Sequence, residues 1–415
     1  MCRFLVYKGS KPIILSKIIT EPSHSILTQS YDSRLRLDVR RPHNGDGFGI
    51  GWYTEPELGP DPCIFTSTLP AWNCVNLERL APKTHSKLIF AHVRATTEGS
   101  LAENNCHPFQ HNTLMWMHNG GIGAWKYVKR PLASSLDDKW YLGVKGGTDS
   151  EWAFALFLHI LANEEKVDPS STPPDGFGAK TLRRAMKKTI ARINVLIKQS
   201  LPVDHTLEDV ETRSLLNFCV TDGHSVIVTR YVSSKTDAAA SLYYSSGTDW
   251  VESPTNPGHF QMERRDKASD VVLVASEPLT FERHNWLAVP TNTIVSIDGQ
   301  TVSVQPIKDE FYDEDPSVER STGYAKEKGL IMKAPGGGIT PGIATPSGVM
   351  TPARTPSAQP QQEINGRDYL SAGAGKEKQN VEDFRRKLAT LDMRGATPLA
   401  SPDAGSGPVT QSLRL

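Results

Sequence analysis

The sequence opens MCRFLVYKG, with a cysteine directly behind the initiator methionine. A small residue at position two favours removal of Met1. Cys2 then carries a thiol and a free α-amine on one residue. With ordinary pKa values of about 8.5 and about 8, both groups are useful near neutral pH. Together they form a complete nucleophile-and-base unit. The plain alternative is a buried structural cysteine on an apolar strand.

Further candidates follow along the chain. In AHVRATTEG, Arg94 ends an apolar run and Thr97 sits in the loop beyond it. A guanidinium at a strand's end suits bidentate capture of a carboxylate, and is equally often a surface cation. In NNCHPF, His107 and the nearby His111 have the spacing of metal ligands, but no carboxylate or cysteine pattern accompanies them, so no metal is expected. In WMHNGGIG, Asn119 precedes two glycines. An Asn side chain and the following Gly120 N–H make the two donors of an oxyanion hole. The same Asn-Gly pair is also a common hairpin turn. In GGTDSEW, Asp149 lies in the first turn of a helix, where acids ordinarily complement the helix dipole. A functional Asp149 would instead hold an ammonium group.

These residues need rigid elements. Short runs rich in aromatic and β-branched residues predict strands over 2–7, 47–53, 63–68, 87–95 and 113–118. A helix is expected over 148–163, opened by a Thr148-x-x-Glu151 capping box and apolar nearly all round, so buried between layers. A second helix, about 177–200, shows the stripe Leu182, Met186, Ile190, Ile193, Ile197. Strands resume over 215–232, with a turn at Asp222-Gly223, then over 270–279 and 293–307. Strands, then helices, then strands predict an α+β protein with sheet layers inside and helices outside.

Bulk properties narrow the class. Forty-six basic residues balance forty-six acidic ones, so no electrostatic pull toward nucleic acid or an anionic membrane is expected. Five cysteines without CxxC spacing argue against a disulfide framework and a zinc site, and suggest a reducing compartment. No secretory signal and no membrane-length apolar run is visible, so a cytoplasmic protein is expected. The globular part is expected to cover 2–315. Residues 316–415 are expected to be a disordered tail, with Thr-Pro pairs at Thr340, Thr345, Thr351, Thr355 and Thr397 open to proline-directed kinases. Within it, residues 380–393 have helical spacing, but a helix that short is marginal alone.

The order of the motifs is more specific than any one of them. N-terminal Cys2; His92, Arg94, Thr97; Asn105, His107, Pro108, Phe109; His118, Asn119, Gly120; and Thr148, Asp149, Ser150, Glu151 together resemble the class II glutamine amidotransferase family. The resemblance covers about residues 2–310. It implies an N-terminal nucleophile hydrolase fold, a four-layer αββα sandwich. It implies Cys2 as nucleophile with its own amine as base, and Asn119 and Gly120 as the oxyanion hole. Arg94, Thr97, His107 and Asp149 become substrate-binding residues, with Arg94, Thr97 and Asp149 clamping a glutamyl α-carboxylate and α-ammonium. No cofactor is implied.

The large members of the family have Gly after the nucleophile, whereas Arg3-Phe4 follow here. MCRFLVYKG, NGDGFGIGWY and ASEPLTFE look instead like a fungal branch of the family. In that branch an amidotransferase-like subunit works with a peptidase-like partner on the γ-glutamyl bond of glutathione. The resemblance therefore implies a γ-glutamyl amide hydrolase, acting on glutathione or glutamine. A glutaminase subunit delivering ammonia to a separate synthase, and a non-catalytic scaffold subunit, remain the alternatives. Arg40 and Arg41 either support the nucleophile or flank a loop.

Overall fold

Successive side chains of a strand point to opposite faces of its sheet. In the central strands of this chain both sets are apolar, so those strands must be covered on both sides. Phe4 and Val6 enter one buried cluster while Leu5 and Tyr7 enter another. Leu88 and Phe90 part in the same way from Ile89 and Ala91, and Met115 and Met117 from Leu114 and Trp116.

In the computed structural model, residues 2–31, 44–95, 100–201, 210–265, 269–280, 285–315 and 318–331 are described. The expectations placed on Thr97, Arg40, Arg41 and residues 332–415, including 380–393, lie outside them. The chain divides by contacts into Met1–Pro346 and Ser347–Leu415, and all that follows belongs to the first unit.

The chain begins with β1 (Arg3–Ile14), α1 (Ser16–Ile19), α2 (Ile26–Tyr31), β2 (Phe48–Trp52), β3 (Cys63–Ser67), α3 (Val75–Leu80) and β4 (His85–Val93). It continues through β5 (Phe109–His111), β6 (Leu114–Gly121), α4 (Trp125–Ser134), α5 (Asp138–Tyr141), α6 (Asp149–Asn163) and α7 (Ala179–Ser200). Strands then return: β7 (Leu215–Thr221), β8 (Ser225–Arg230), β9 (Tyr243–Gly247), β10 (Asp249–Glu252), β11 (Phe260–Glu263), β12 (Val271–Ala275), β13 (Leu287–Ala288), β14 (Thr293–Asp298) and β15 (Thr301–Pro306). A short α8 (Gly323–Glu327) closes the described chain.

The first sheet runs β13-β9-β12-β1-β4-β2-β3 and the second β15-β14-β8-β7-β6-β5, with β10 and β11 as a separate ribbon. Every pairing between these strands is antiparallel. Between the sheets lie Phe4, Val6, Phe90, Met115, Met117 and Val228, among others. The outer face of the first sheet packs with residues of α1, α2 and α3, and that of the second with α4, α6 and α7. The expected αββα sandwich is therefore present.

The helix expected at 148–163 is α6, and the stripe on α7 is fully buried. The capping box does not form. Thr148 makes no side-chain cap hydrogen bond, and Glu151 turns away to accept from the Lys145 and Gly146 N–H groups at 2.8 and 2.6 Å. Asn119-Gly120 is not a turn either: both lie inside β6, opposite Asn217 and Leu216 of β7. The packed chain also runs past the boundary expected at 315, since Tyr324, Ala325, Leu330 and Ile331 are buried.

Trp116 anchors the second sheet to its helices, 4.7 Å from Phe218 and 5.3 Å from Phe157 between ring centres. Its indole N–H has no hydrogen-bond partner among the described residues. Trp116→Ala is expected to cost about 3–5 kcal/mol in urea unfolding. Trp116→Phe should cost clearly less, because it removes a buried donor that has no acceptor. Equal losses in the two variants would contradict this.

Candidate active site

The place of Cys2 is set by register. Arg3 pairs with Val93 and Leu5 with Ala275, so β1 starts where β4 and β12 end. Cys2, Arg94 and Ser276 therefore share one edge of the first sheet. The Cys2 Sγ lies 3.8 Å from the Ala95 carbonyl.

A serine joins this edge to the second sheet. The Ser276 Oγ accepts from the Phe4 N–H at 3.1 Å and from the Asn119 amide at 3.1 Å. Asn119 is thereby drawn against the strand that carries Cys2. Its amide holds a second N–H beyond the one given to Ser276. Gly120 follows with φ +154°, and a Cβ there would lie 1.7 Å from the Leu215 carbonyl oxygen. No larger residue fits without moving β7.

Arg94 is 3% exposed, and its guanidinium contacts the Asp46 and Ser100 carbonyls at 3.3–3.4 Å. Asn105 staples this region together. Its amide donates to the Ser100 carbonyl at 2.9 Å, and its Oδ1 accepts from the Gly147 N–H at 3.1 Å. Gly147 leads into α6, whose first residue is Asp149. The Asp149 Oδ2 accepts from the Ile122 N–H at 2.8 Å, just past Gly120 and Gly121. Cys2, Arg94, Asn119, Gly120 and Asp149 thus converge on one end of the sandwich.

His107 is buried behind this edge rather than hydrogen-bonded within it. Its ring lies 4.1 Å from that of His92 and 4.6 Å from that of Phe109. Neither ring nitrogen has a hydrogen-bond partner among the described residues. The His92 Nε2–H donates to the His118 carbonyl at 3.1 Å, and the His118 Nε2–H to the Leu215 carbonyl at 3.0 Å. The His118 Nδ1 meets the Ser150 hydroxyl at 2.9 Å. Burial lowers the pKa of all three imidazoles, that of His92 to about 3. Burial likewise pushes the Cys106 thiol up to about 11, so it is a poor nucleophile. His111 instead meets the Ser170 hydroxyl at 2.9 Å, and no cluster of three or more potential metal ligands occurs among the described residues.

Sequence reasoning missed the roles of Ser276, Asn105 and Ser150, and it noted Arg3 only as a departure. Arg3 is buried, with its guanidinium on Glu277 and on the Cys2 carbonyl at 2.8 Å. Ser276 and Glu277 both lie in ASEPLT, so that motif held the signal.

The chain belongs to the class II glutamine amidotransferase family. A family model described as glutamine amidotransferases class-II matches residues 24–197, and a relative is 52% identical over 337 residues. That relative is the probable glutamine amidotransferase DUG3 of Saccharomyces cerevisiae, with 81% of this chain and 92% of that one covered. The gamma-glutamyl-hercynylcysteine sulfoxide hydrolase of Mycobacterium tuberculosis is 30% identical over 142 residues, 33% of this chain and 57% of that one. A glutamine aminotransferase class-II domain protein from Silicibacter pomeroyi superposes with a TM-score of 0.46 at 22% identity, over 74% of this chain and 100% of that one. The chain is thus an amidohydrolase-type enzyme. The family match begins beyond Cys2. No helix among the described residues is long and apolar enough to cross a membrane.

The buried histidines make stability depend on pH. Their folded pKa values lie below the unfolded value of about 6.5, so the unfolded chain takes up protons first. Their contribution is intact above about pH 6.5 and is lost as pH falls toward about 3, the His92 value. Each can steepen the loss by up to about 1.4 kcal/mol per pH unit. Urea unfolding at about pH 7.5 and about pH 5.5 should show a smaller acid loss for His107→Leu than for the native chain. Equal losses would mean that His107 is protonated within the fold.

Proposed function

We propose that this protein hydrolyses γ-glutamyl amides through Cys2, with the γ-glutamyl bond of glutathione as its substrate. The observation that carries the reading is the shared Ser276 hydroxyl, which ties the Cys2-bearing strand to Asn119. The α-amine of Cys2 takes the thiol proton as the sulfur attacks the γ-carbonyl. Asn119 and the Gly120 N–H stabilise the oxyanion. The protonated amine then gives its proton to the departing nitrogen, leaving a thioester that water cleaves to glutamate. The reading requires Cys2 to be the first residue of the mature chain, which intact mass tests.

Arg94 and Asp149 supply opposite charges for the glutamyl α-carboxylate and α-ammonium, with Thr97 as a third contact. Glutathione and glutamine present the same glutamyl head. A relative named as a hydrolase of a γ-glutamyl cysteine derivative supports an amine other than ammonia as the leaving group. We take the protein to work with a peptidase-like partner subunit and to reside in the cytoplasm. Five free cysteines fit a reducing compartment.

Glutamate release from glutathione and from glutamine, measured side by side with and without lysate of the source cells, tests the reading. Faster release from glutathione is expected, and Cys2→Ala should lower it by about 10³-fold or more while the protein stays folded. Release from glutamine alone would return the chain to the ammonia donors. Turnover retained in Cys2→Ala would refute the nucleophile. Asp149→Asn keeps an oxygen for the Ile122 N–H but removes the charge. It should raise KM about 10–100-fold, as expected for a lost charge-assisted hydrogen bond. An unchanged KM would remove Asp149 from the clamp.

A further inference from the structure

The residues after β15 were not needed to build the catalytic groups, yet they reach them. The segment Val318–Ile331 is fastened along its length. The Arg320 guanidinium donates to the Ser234 carbonyl at 2.6 Å and the Phe311 carbonyl at 2.9 Å. Ser321 exchanges backbone hydrogen bonds with Thr236 and Ala238 at 2.7 and 2.8 Å. The Tyr324 hydroxyl donates to the Arg213 carbonyl at 2.9 Å. Tyr324, Ala325, Leu330 and Ile331 bury themselves with Leu215, Val232, Ala239 and Ala240.

Two adjacent residues of this segment then start hydrogen-bonded routes that end on the two catalytic groups. The Gly329 carbonyl accepts from the Arg3 guanidinium at 3.0 Å, and the same guanidinium donates to the Cys2 carbonyl at 2.8 Å. Glu277 holds the third side of Arg3 and faces the His24 Nε2 at 3.6 Å. The Leu330 carbonyl accepts from the Ser241 N–H at 2.8 Å. The Ser241 hydroxyl donates to the Ser276 carbonyl at 2.9 Å, and the Ser276 hydroxyl holds Asn119.

We infer that Val318–Ile331 is a positioning strap, which fixes the Cys2 backbone through Arg3 and the Asn119 amide through Ser241 and Ser276. The inference rests on the proposed roles of Cys2 and Asn119. Among the described residues its hydrogen bonds do not reach Arg94 or Asp149. Loosening the strap therefore lowers turnover and leaves substrate binding in place. A purely structural strap would lower the folded fraction instead, and kcat and KM of the remaining folded enzyme would not change.

The full-length Leu330→Ala chain tests this, since Leu330 is anchored far from Cys2 in sequence and only its packing is altered. Leu330→Met, close in volume, serves as the rescue. Glutamate release is measured with the better of the two substrates, with the folded fraction followed by circular dichroism at the assay temperature. Leu330→Ala is expected to lower kcat about tenfold or more with KM held within about twofold, because small displacements of reacting groups have large effects on rate. Leu330→Met should restore kcat. If Leu330→Ala does not fold, Ser241→Ala decides by the same split, as it removes one route and leaves the strap packed. Unchanged kcat in the folded variant, or a loss accounted for by the unfolded fraction, overturns the strap. Activity retained in Cys2→Ala would defeat the nucleophile reading itself, and a dead Cys2→Ala beside a fully active Leu330→Ala would defeat the strap alone.

Discussion

A chain terminus is ordinarily the loosest part of a domain. Here Cys2 instead directly precedes a central strand. β1 lies between β12 and β4, and its first residues pair at the ends of both. Phe4 and Leu5 are buried on opposite faces of the sheet, so the strand cannot peel off without opening two clusters. The rest of the site depends on that constraint. Once the end of β1 is fixed, the loop after β4 and the end of β12 are brought beside Cys2 by register alone.

Arg3 shows that stability is not the whole account. A buried ion pair gains little over an apolar pair of the same shape, because both charges must leave water. Breaking one side is costly, at about 3–5 kcal/mol. Arg3, Glu277 and His24 are nevertheless buried together beside Cys2. The planar guanidinium offers five donors in fixed directions, and an apolar residue offers none. Directional contacts to Cys2, Glu277 and Gly329 are what such a group provides, and they hold a backbone in place rather than merely fill space.

Periodic features of the fold were legible in the sequence. The apolar runs of β4 and β6, the stripe on α7 and the Asp222-Gly223 turn read correctly because each is set by neighbours a few residues away. Asn119-Gly120 looked like a turn, since the sequence does not say that β7 will lie alongside and crowd Gly120. Glu151 looked like a cap, since the irregular segment at Lys145–Gly146 that claims its carboxylate has no pattern of its own. The short helices α1, α2, α3 and α5 have too few turns to show a period. Arg3 to Glu277 and Asn119 to Ser276 span 274 and 157 residues, and no local pattern encodes such pairings. The motif order singled out Cys2, Arg94, Asn119, Gly120 and Asp149, whereas the contacts that hold them became visible only in three dimensions.

The neutral histidines bear on what Arg94 can hold. His92 and His107 lie close enough for the Arg94 charge to lower their pKa values further, although burial is the larger cause. A charged imidazole there would compete with Arg94 for an incoming carboxylate and repel its guanidinium. Kept neutral, these rings form an uncharged wall behind the arginine. Arg94 meets its carbonyl partners only at 3.3–3.4 Å, at the long end of hydrogen bonding. A carboxylate offers shorter, charge-assisted bonds to the same donors. Under the proposed function, holding a carboxylate there while a thiol waits on the neighbouring strand end selects for the glutamyl head. On that same proposal, discrimination between leaving groups arises on the far side of the scissile bond, away from Arg94 and Asp149.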